Sequence, residues 1–513
     1  MNLNPNSIEW ALKHLYKYSD TDLFPKPLEY DALNADIPKL SALLSGAPIG
    51  NFRPQPARRF VVPKAEFAFR QATQLYPTDS LLLSSIIYEF GAGIEKRRPS
   101  PADEIVFSNR FRPLSDGTLY DPAVSWAEFW TKVQQTSPKY PAALVVDITD
   151  YYNQIYHHTL ENQLAESGFP NAAIKWVLAL LESLTAKVSR GIPVGPHAAH
   201  LLAELALVPI DNQLRAEGFK YCRYADDFVI FCDGTEDPAV VLNRFAEILD
   251  KQQRLGLQKS KTQVLSTGGV LKLAEEMLQD RPISEIEKQV LGTIRKHSGG
   301  NPYHTVNVAQ FGPVETKYFE RPQLEGIISE YLKSSDPDFS RLRWFYRRLA
   351  QTGAPNALDF TLNNLEKLTP AISDVCHYLI SVGNSGARDW KQTGETIHSG
   401  LRLKRIASSE YFQISLLSLF ARNPGLNHFD KLSGSYKSYN SNLRREVILA
   451  AQASGHGDWI RILKEDFRGM DIWCQNAFIM AVRCLPREER RFFLNSLGLV
   501  EPTQKLLADW AAT

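Results

Sequence analysis

The strongest chemical signal in the chain is a pair of adjacent carboxylates within Arg223-Tyr224-Ala225-Asp226-Asp227-Phe228-Val229-Ile230-Phe231. Apolar residues flank Asp226 and Asp227 on both sides, a pattern that predicts a β-hairpin whose tight turn lifts both carboxylates to one end of a sheet. Taken alone, an Asp-Asp turn is as readily a solvated loop. About 80 residues upstream, Ala143-Leu144-Val145-Val146-Asp147-Ile148 reads as a buried strand that ends in a third aspartate and runs at once into a helix. Charged groups at strand ends are where sites assemble in α/β sheets, and three such carboxylates make a hard oxygen cage of the kind magnesium prefers. Two ions about 4 Å apart clamp an in-line phosphoryl transfer, one activating an attacking 3′-hydroxyl and the other stabilising a departing pyrophosphate. Between the carboxylates lies Gly191-Ile192-Pro193-Val194-Gly195-Pro196. Its glycines permit close backbone approach, so it reads either as the floor of a nucleotide pocket, with Gly195 against the ligand, or as a Gly-Pro turn opening the apolar helix 197–214.

These groups need a scaffold, and the hydrophobic pattern supplies one. Residues 7–18 and 37–44 predict helices separated by a proline-punctuated connector at 24–27. From 58 to about 265, short β-branched runs such as 142–148 and 220–232 alternate with longer periodic segments, which is the pattern of an α/β core. Beyond about 281 strand signals nearly vanish. Apolar residues then recur at three and four spacings through 324–332, 342–349, 371–380, 411–420, 447–453, 460–467, 473–482 and 491–497. That predicts an all-α region, either stacked helical pairs or a plain bundle. The expected division is a helical extension over 1–50, an α/β domain over 51–280 and a helical domain over 281–513.

Composition narrows the class without choosing the chemistry. At 513 residues the chain is long enough for two or three cores. Its five cysteines are scattered, with neither a disulfide framework nor zinc-site spacing, so a reducing cytoplasm is expected. No basic-then-apolar leader and no run of about 18 apolar residues is present, which argues against a membrane span. A net charge of +1 gives no global attraction to nucleic acid. Any electrostatic footprint is local, as in Arg53, Arg58, Arg59 and Phe60 or Arg110, Phe111 and Arg112, where cations and aromatics could hold backbone and stacked bases.

Taken in order, these motifs resemble the palm of reverse transcriptases: Asp147 in motif A, Gly191 to Pro196 in motif B, Tyr224 to Asp227 as the Tyr-x-Asp-Asp of motif C, and Leu257 to Thr262 in motif D. The resemblance implies a right-hand polymerase, with α/β fingers and a ferredoxin-like palm followed by an all-α, HEAT-like helical repeat in place of a thumb. It also implies that Asp147, Asp226, Asp227 and the main chain of Ile148 bind two magnesium ions, with manganese as the alternative. Tyr152, five residues after Asp147, would sit under the sugar and exclude a 2′-hydroxyl. Upstream, Val61-Val62-Pro63-Lys64 and Phe69-Arg70 resemble the fingers strands, so Lys64 and Arg70 would grip the triphosphate. Lys261 would protonate the leaving pyrophosphate.

The finer spelling is similar to the abortive-infection and related defence-associated bacterial enzymes. Val194 stands where retroviral and intron enzymes usually carry Gln, Leu201-Leu202-Ala203-Glu204 follows, and Asp20 to Pro25 and Glu29-Tyr30 match that group. One departure is Ala199-His200, where such enzymes often show Ser-Arg. The implied function is antiphage defence in the bacterial cytoplasm through synthesis of single-stranded DNA from dNTPs by a homo-oligomer. Synthesis would be untemplated and protein-primed, with Tyr436 and Tyr439 as candidate primers, or templated by a partner noncoding RNA. The rival from another class is a catalytically silent nucleic-acid-binding scaffold; three retained aspartates, whose mutual repulsion a structural domain has no reason to keep, argue against it.

Overall fold

The computed structural model describes residues 1–278, 282–299, 304–383 and 389–513. The chain divides into two compact units, one of Met1–Thr21, Asn34–Arg58 and Thr73–Arg281, the other of Asp22–Leu33, Arg59–Ala72 and Pro282–Thr513. The boundary expected at 280 falls on 279–281, outside the described residues. Segments 22–33 and 59–72, which the sequence places with the N-terminal extension and the fingers, cluster instead with the C-terminal helices. The physical reason is burial: Phe24, Ala32, Phe60, Val62 and Ala72 share one apolar core with the helices of that unit.

Two strands, Arg58–Ala65 (β1) and Ala68–Gln74 (β2), form a hairpin of their own. The first unit is built on a second sheet of Ala142–Asp147 (β3), Lys220–Tyr224 (β4), Asp227–Cys232 (β5) and Gln263–Ser266 (β6), in the order β4-β5-β3-β6 with every pairing antiparallel. With helices between β3 and β4 and a helix Pro238–Gln253 between β5 and β6, this is the β-α-β-β-α-β topology of a ferredoxin-like fold. Side chains alternate across the sheet. Ala143, Val229 and Phe231 pack against Phe129, Trp130 and Val133 of helix Trp126–Thr136 and Val270 and Ala274 of helix Thr267–Leu278. Phe228, on the opposite face, meets Phe245 of helix Pro238–Gln253 with ring centroids 5.2 Å apart. Because both faces are covered, β3 and β5 carry nearly unbroken apolar runs, which is why they stand out in the sequence.

The second unit has no strand beyond β1 and β2 among its described residues. Helices Phe339–Ala350, Ile372–Gly383, Glu410–Arg422, Ser441–Ser454, Ile472–Ala481 and Pro502–Ala512 pack each on the next in chain order. The segment 22–33 is held against them by charge. Arg445 donates to both Glu29 carboxylate oxygens at 2.8 and 2.7 Å and to Glu446 at 2.8 Å, all three side chains being buried. Two sequence expectations change here. The run 460–467 is split into helix Gly457–Ile462 and a 3-10 segment Leu463–Gly469. Helix Phe429–Ser435 passes into a 3-10 turn Tyr436–Ser438, and the candidate primer Tyr436 is buried edge-on against Trp459 at 5.1 Å, which counts against its hydroxyl as a primer. Among the described residues no helix is long and apolar enough to cross a membrane.

Candidate active site

The register of the sheet brings the carboxylates together. Asp147 at the end of β3 is paired with Asp227 at the start of β5, and the main-chain carbonyl of Asp226 accepts the N–H of Ile148 at 3.3 Å. Tyr224 and Asp227 close the β4-β5 hairpin, leaving Ala225 and Asp226 as its turn. Ala225 has φ of +51°, a left-handed conformation that a residue with a Cβ adopts at a cost of about 1–2 kcal/mol. The turn is held in that state from outside: the Ala225 N–H donates to Ser108 Oγ at 2.8 Å, and Arg223 Nη1 donates to the Ala225 carbonyl at 3.3 Å.

Behind the turn lies an ion network with almost no exposure. Arg223 donates from Nη1 to Glu204 at 2.7 Å and from Nη2 to Asp211 at 2.6 Å; Arg98 reaches Glu204 at 2.9 Å, and Ser108 Oγ reaches it at 2.5 Å. Burial pushes the Glu204 carboxyl up, but the charges of Arg223 and Arg98 more than reverse this and hold it at about 2. Sequence reasoning assigned none of these residues a role. A signal was present: Glu204 and Asp211 are seven apart in the otherwise apolar stretch 201–211 of one helix, hence on one face, and Arg223 occupies an inward-pointing strand position.

In front of the turn the charge is one-sided. Burial, then the charge of Asp227, then that of Asp147 push the Asp226 carboxyl up to about 7. Lys261, in the 3-10 turn Lys259–Lys261, places its ammonium directly on the Asp147 carboxylate. Burial would lower that ammonium, but the contact with Asp147 and the charges of Asp227 and Asp226 raise it, so it is a cation first and a proton donor second. Among the described residues no three His, Cys, Asp or Glu side chains are gathered closely enough to hold a metal ion as they stand. The donor chemistry nevertheless fits a divalent cation: the donors are hard carboxylate oxygens, and Asp227 and Asp147 add their negative charge to burial in pushing Asp226 up.

The strand β3 leads through Asp150, at φ +49°, into the short helix Tyr151–Gln154. Tyr151 turns inward and donates its hydroxyl to the Ala203 carbonyl at 2.5 Å. Tyr152 is half-buried, with its hydroxyl 2.6 Å from Nδ1 of His200. The Gly191–Pro196 loop is clamped beside it, Ile192 N–H donating to the Tyr152 carbonyl at 2.9 Å and Thr73 N–H to the Val194 carbonyl at 2.8 Å. Gly195, at φ +128°, has Thr73 O and Thr21 Oγ1 within 2.8 and 2.9 Å of where a Cβ would stand, so packing alone requires a glycine. Gly195→Ala is therefore expected to destabilise the protein by about 1–3 kcal/mol, read as a lowered melting temperature. An unchanged melting temperature would show that the loop relaxes freely.

Asp147, Ile148, Tyr152, Gly195, Asp226, Asp227 and Lys261 all lie in the first unit, whereas Lys64, exposed on β1, and Arg70, half-buried on β2, lie in the second. Residues 106–298 match the family described as reverse transcriptase (RNA-dependent DNA polymerase). No curated protein matches the chain in sequence. A solved structure titled "Structure of apo telomerase from Candida Tropicalis" is similar over 70% of this chain and 69% of its own, at 10% identity and a TM-score of 0.34.

Proposed function

We propose that this nucleotidyltransferase, an RNA-directed DNA polymerase by its reverse-transcriptase domain, makes single-stranded DNA from dNTPs at Asp147, Asp226 and Asp227 in bacterial antiphage defence. The observation that carries the reading is the convergence of three carboxylates at one sheet end, with Asp226 pushed up to about 7 by burial and then by the charges of Asp227 and Asp147. Asp147, Asp226, Asp227 and the Ile148 carbonyl would hold two magnesium ions, or manganese in their place. The bound ions would supply a nucleophilic 3′-oxygen and neutralise charge on the leaving pyrophosphate. The protein's own part is positional. The buried Arg223 network fixes the turn that carries Asp226, and Tyr152 lies under the deoxyribose. Lys261 offers a cation, and a proton once Asp147 is engaged elsewhere. Lys64 and Arg70 would grip the triphosphate, a role that only the resemblance to the fingers strands implies. The helices of 282–513 form a HEAT-like repeat in place of a thumb, a reading supported by helices packing each on the next.

The defence assignment rests on the spelling of motif B, with Val194 and the following Leu201 to Glu204, and its test is a plaque assay comparing the native chain with Asp226→Asn. Equal protection by both would remove it. Synthesis itself is tested by incubating the purified, nuclease-treated protein with magnesium and each labelled dNTP, with and without the copurifying RNA, and running the product before and after protease. Label that shifts on proteolysis means protein priming; product only with the RNA means a dedicated template. No incorporation under either condition overturns the reading. Tyr152→Val is expected to admit ribonucleotides, raising their kcat/KM relative to deoxyribonucleotides by about a hundredfold or more, the loss of a steric exclusion worth roughly 3 kcal/mol. Unchanged sugar discrimination would remove Tyr152 from beneath the sugar.

A further inference from the structure

Tyr151 and Tyr152 both reach the helix His197–Ala216, but by different means. Tyr151 binds a main-chain carbonyl, that of Ala203, a contact any residue at 203 could supply. The partner of Tyr152 is a side chain. Its hydroxyl lies 2.6 Å from His200 Nδ1, a hydrogen bond available in either imidazole tautomer, and the two rings meet edge-on with centroids 6.0 Å apart. The backbone of Tyr152 is already fixed by the N–H of Ile192, so what His200 adds is the orientation of a half-buried ring that packing leaves partly open. His200 is itself well held. It sits in the first turn of a helix whose start is tied down by the His197 N–H, which donates to the Asp20 carbonyl at 2.8 Å, and by Tyr120, whose hydroxyl donates to the His197 carbonyl at 2.6 Å.

We infer that His200 is a positioning residue for sugar selection, holding the phenol of Tyr152 in the plane from which it excludes a 2′-hydroxyl. The inference rests on the sugar-selecting reading of Tyr152. A ring anchored at its hydroxyl as well as by its edge-on contact with Tyr151 resists being pushed aside by the larger ribose more than one that has lost the hydroxyl anchor. The residue that departs from the family spelling thus acquires a role other than contact with primer or template.

The test is the ratio of ribonucleotide to deoxyribonucleotide kcat/KM in the full-length protein. His200→Ala is expected to raise it by about tenfold, the usual kinetic equivalent of one lost hydrogen bond. His200→Asn, which returns a polar group near the Nδ1 position, should recover most of the discrimination. In the Tyr152→Phe background, which has no hydroxyl, His200→Ala should change the ratio no further. A ratio within about twofold of native in His200→Ala, while Tyr152→Val raises it strongly, overturns the inference and leaves the reading of Tyr152 intact. If Tyr152→Val itself leaves the ratio unchanged, the reading falls and the inference with it. Should His200→Ala melt early, His200→Asn decides: restored melting without restored discrimination means that His200 serves the fold alone, which also overturns the inference.

Discussion

Replacing Asp226 by Asn is expected to abolish nucleotide incorporation and at the same time to stabilise the metal-free protein. The loss of activity follows from removing one of the three carboxylates proposed to hold the metal ions, an effect of roughly a thousandfold or more. The gain follows from the same crowding. An unfolded Asp titrates near 4, whereas burial, Asp227 and Asp147 push the folded Asp226 up to about 7. Between those values the folded protein keeps a proton that the unfolded chain has released, so stability falls as pH rises from about 4 to 7 and levels off above. The accumulated penalty is on the order of a few kcal/mol. The melting temperature of the native chain in chelator should therefore drop across that window, and the Asp226→Asn chain should melt higher at pH 8 with a flatter profile. Magnesium at pH 8 should raise the native melting temperature more than that of the variant. A variant that retains activity sinks the site; one that is inactive but melts no higher than native at pH 8 sinks the account of its electrostatics.

Arg223→Met should produce the opposite pairing of effects, a large loss of stability from a residue that touches no substrate. Arg223 is fully buried between Glu204 and Asp211, and the substitution leaves those carboxylates desolvated and poorly paired. Removing one partner of such a network costs about 3–5 kcal/mol, which for a unit of this size lowers the melting temperature by on the order of 10 °C. The triple variant Arg223→Met, Glu204→Gln, Asp211→Asn should recover a good part of that loss, because it removes the orphaned charges along with the arginine. A single variant that melts within about 2 °C of the native chain would show that water reaches the network and that it is not the support of the turn.

The sheet and its carboxylates were legible in the sequence because both faces of β3 and β5 are covered. Their apolar runs are uninterrupted, and the aspartates at their ends have no packing reason to be there. The helix His197–Ala216 and the helices of the second unit were legible for the same reason, through their periodicity. What escaped was everything that depends on side chains meeting across distant segments. Ser108 caps a turn 117 residues away, and Glu204 and Asp211 look like surface charges until Arg223 is placed between them. His200 was visible only as a misfit, since its partner lies 48 residues upstream and no local rule links the two. The hairpin 59–72 is expected in the α/β domain from the pattern beginning at 58 and its resemblance to fingers strands, whereas its apolar face is claimed by the core of the other unit. Spacing along the chain cannot register that choice.

The segment 22–33 leaves the ribosome long before the groups that satisfy it. Glu29 waits for Arg445, the carbonyl of Leu23 for the hydroxyl of Tyr411, and the helix Glu29–Leu33 for the helix Pro502–Ala512. At ordinary rates of synthesis that interval is on the order of tens of seconds, during which Phe24, Tyr30 and Leu33 have no core to enter. Folding of the second unit thus waits until the helix Pro502–Ala512 has been made, while the palm sheet, complete at Ser266, can close on the nascent chain long before. A stop codon within helix Ile472–Ala481 or Pro502–Ala512 would release a chain with a finished sheet and a stranded apolar segment, a natural substrate for chaperones and proteases.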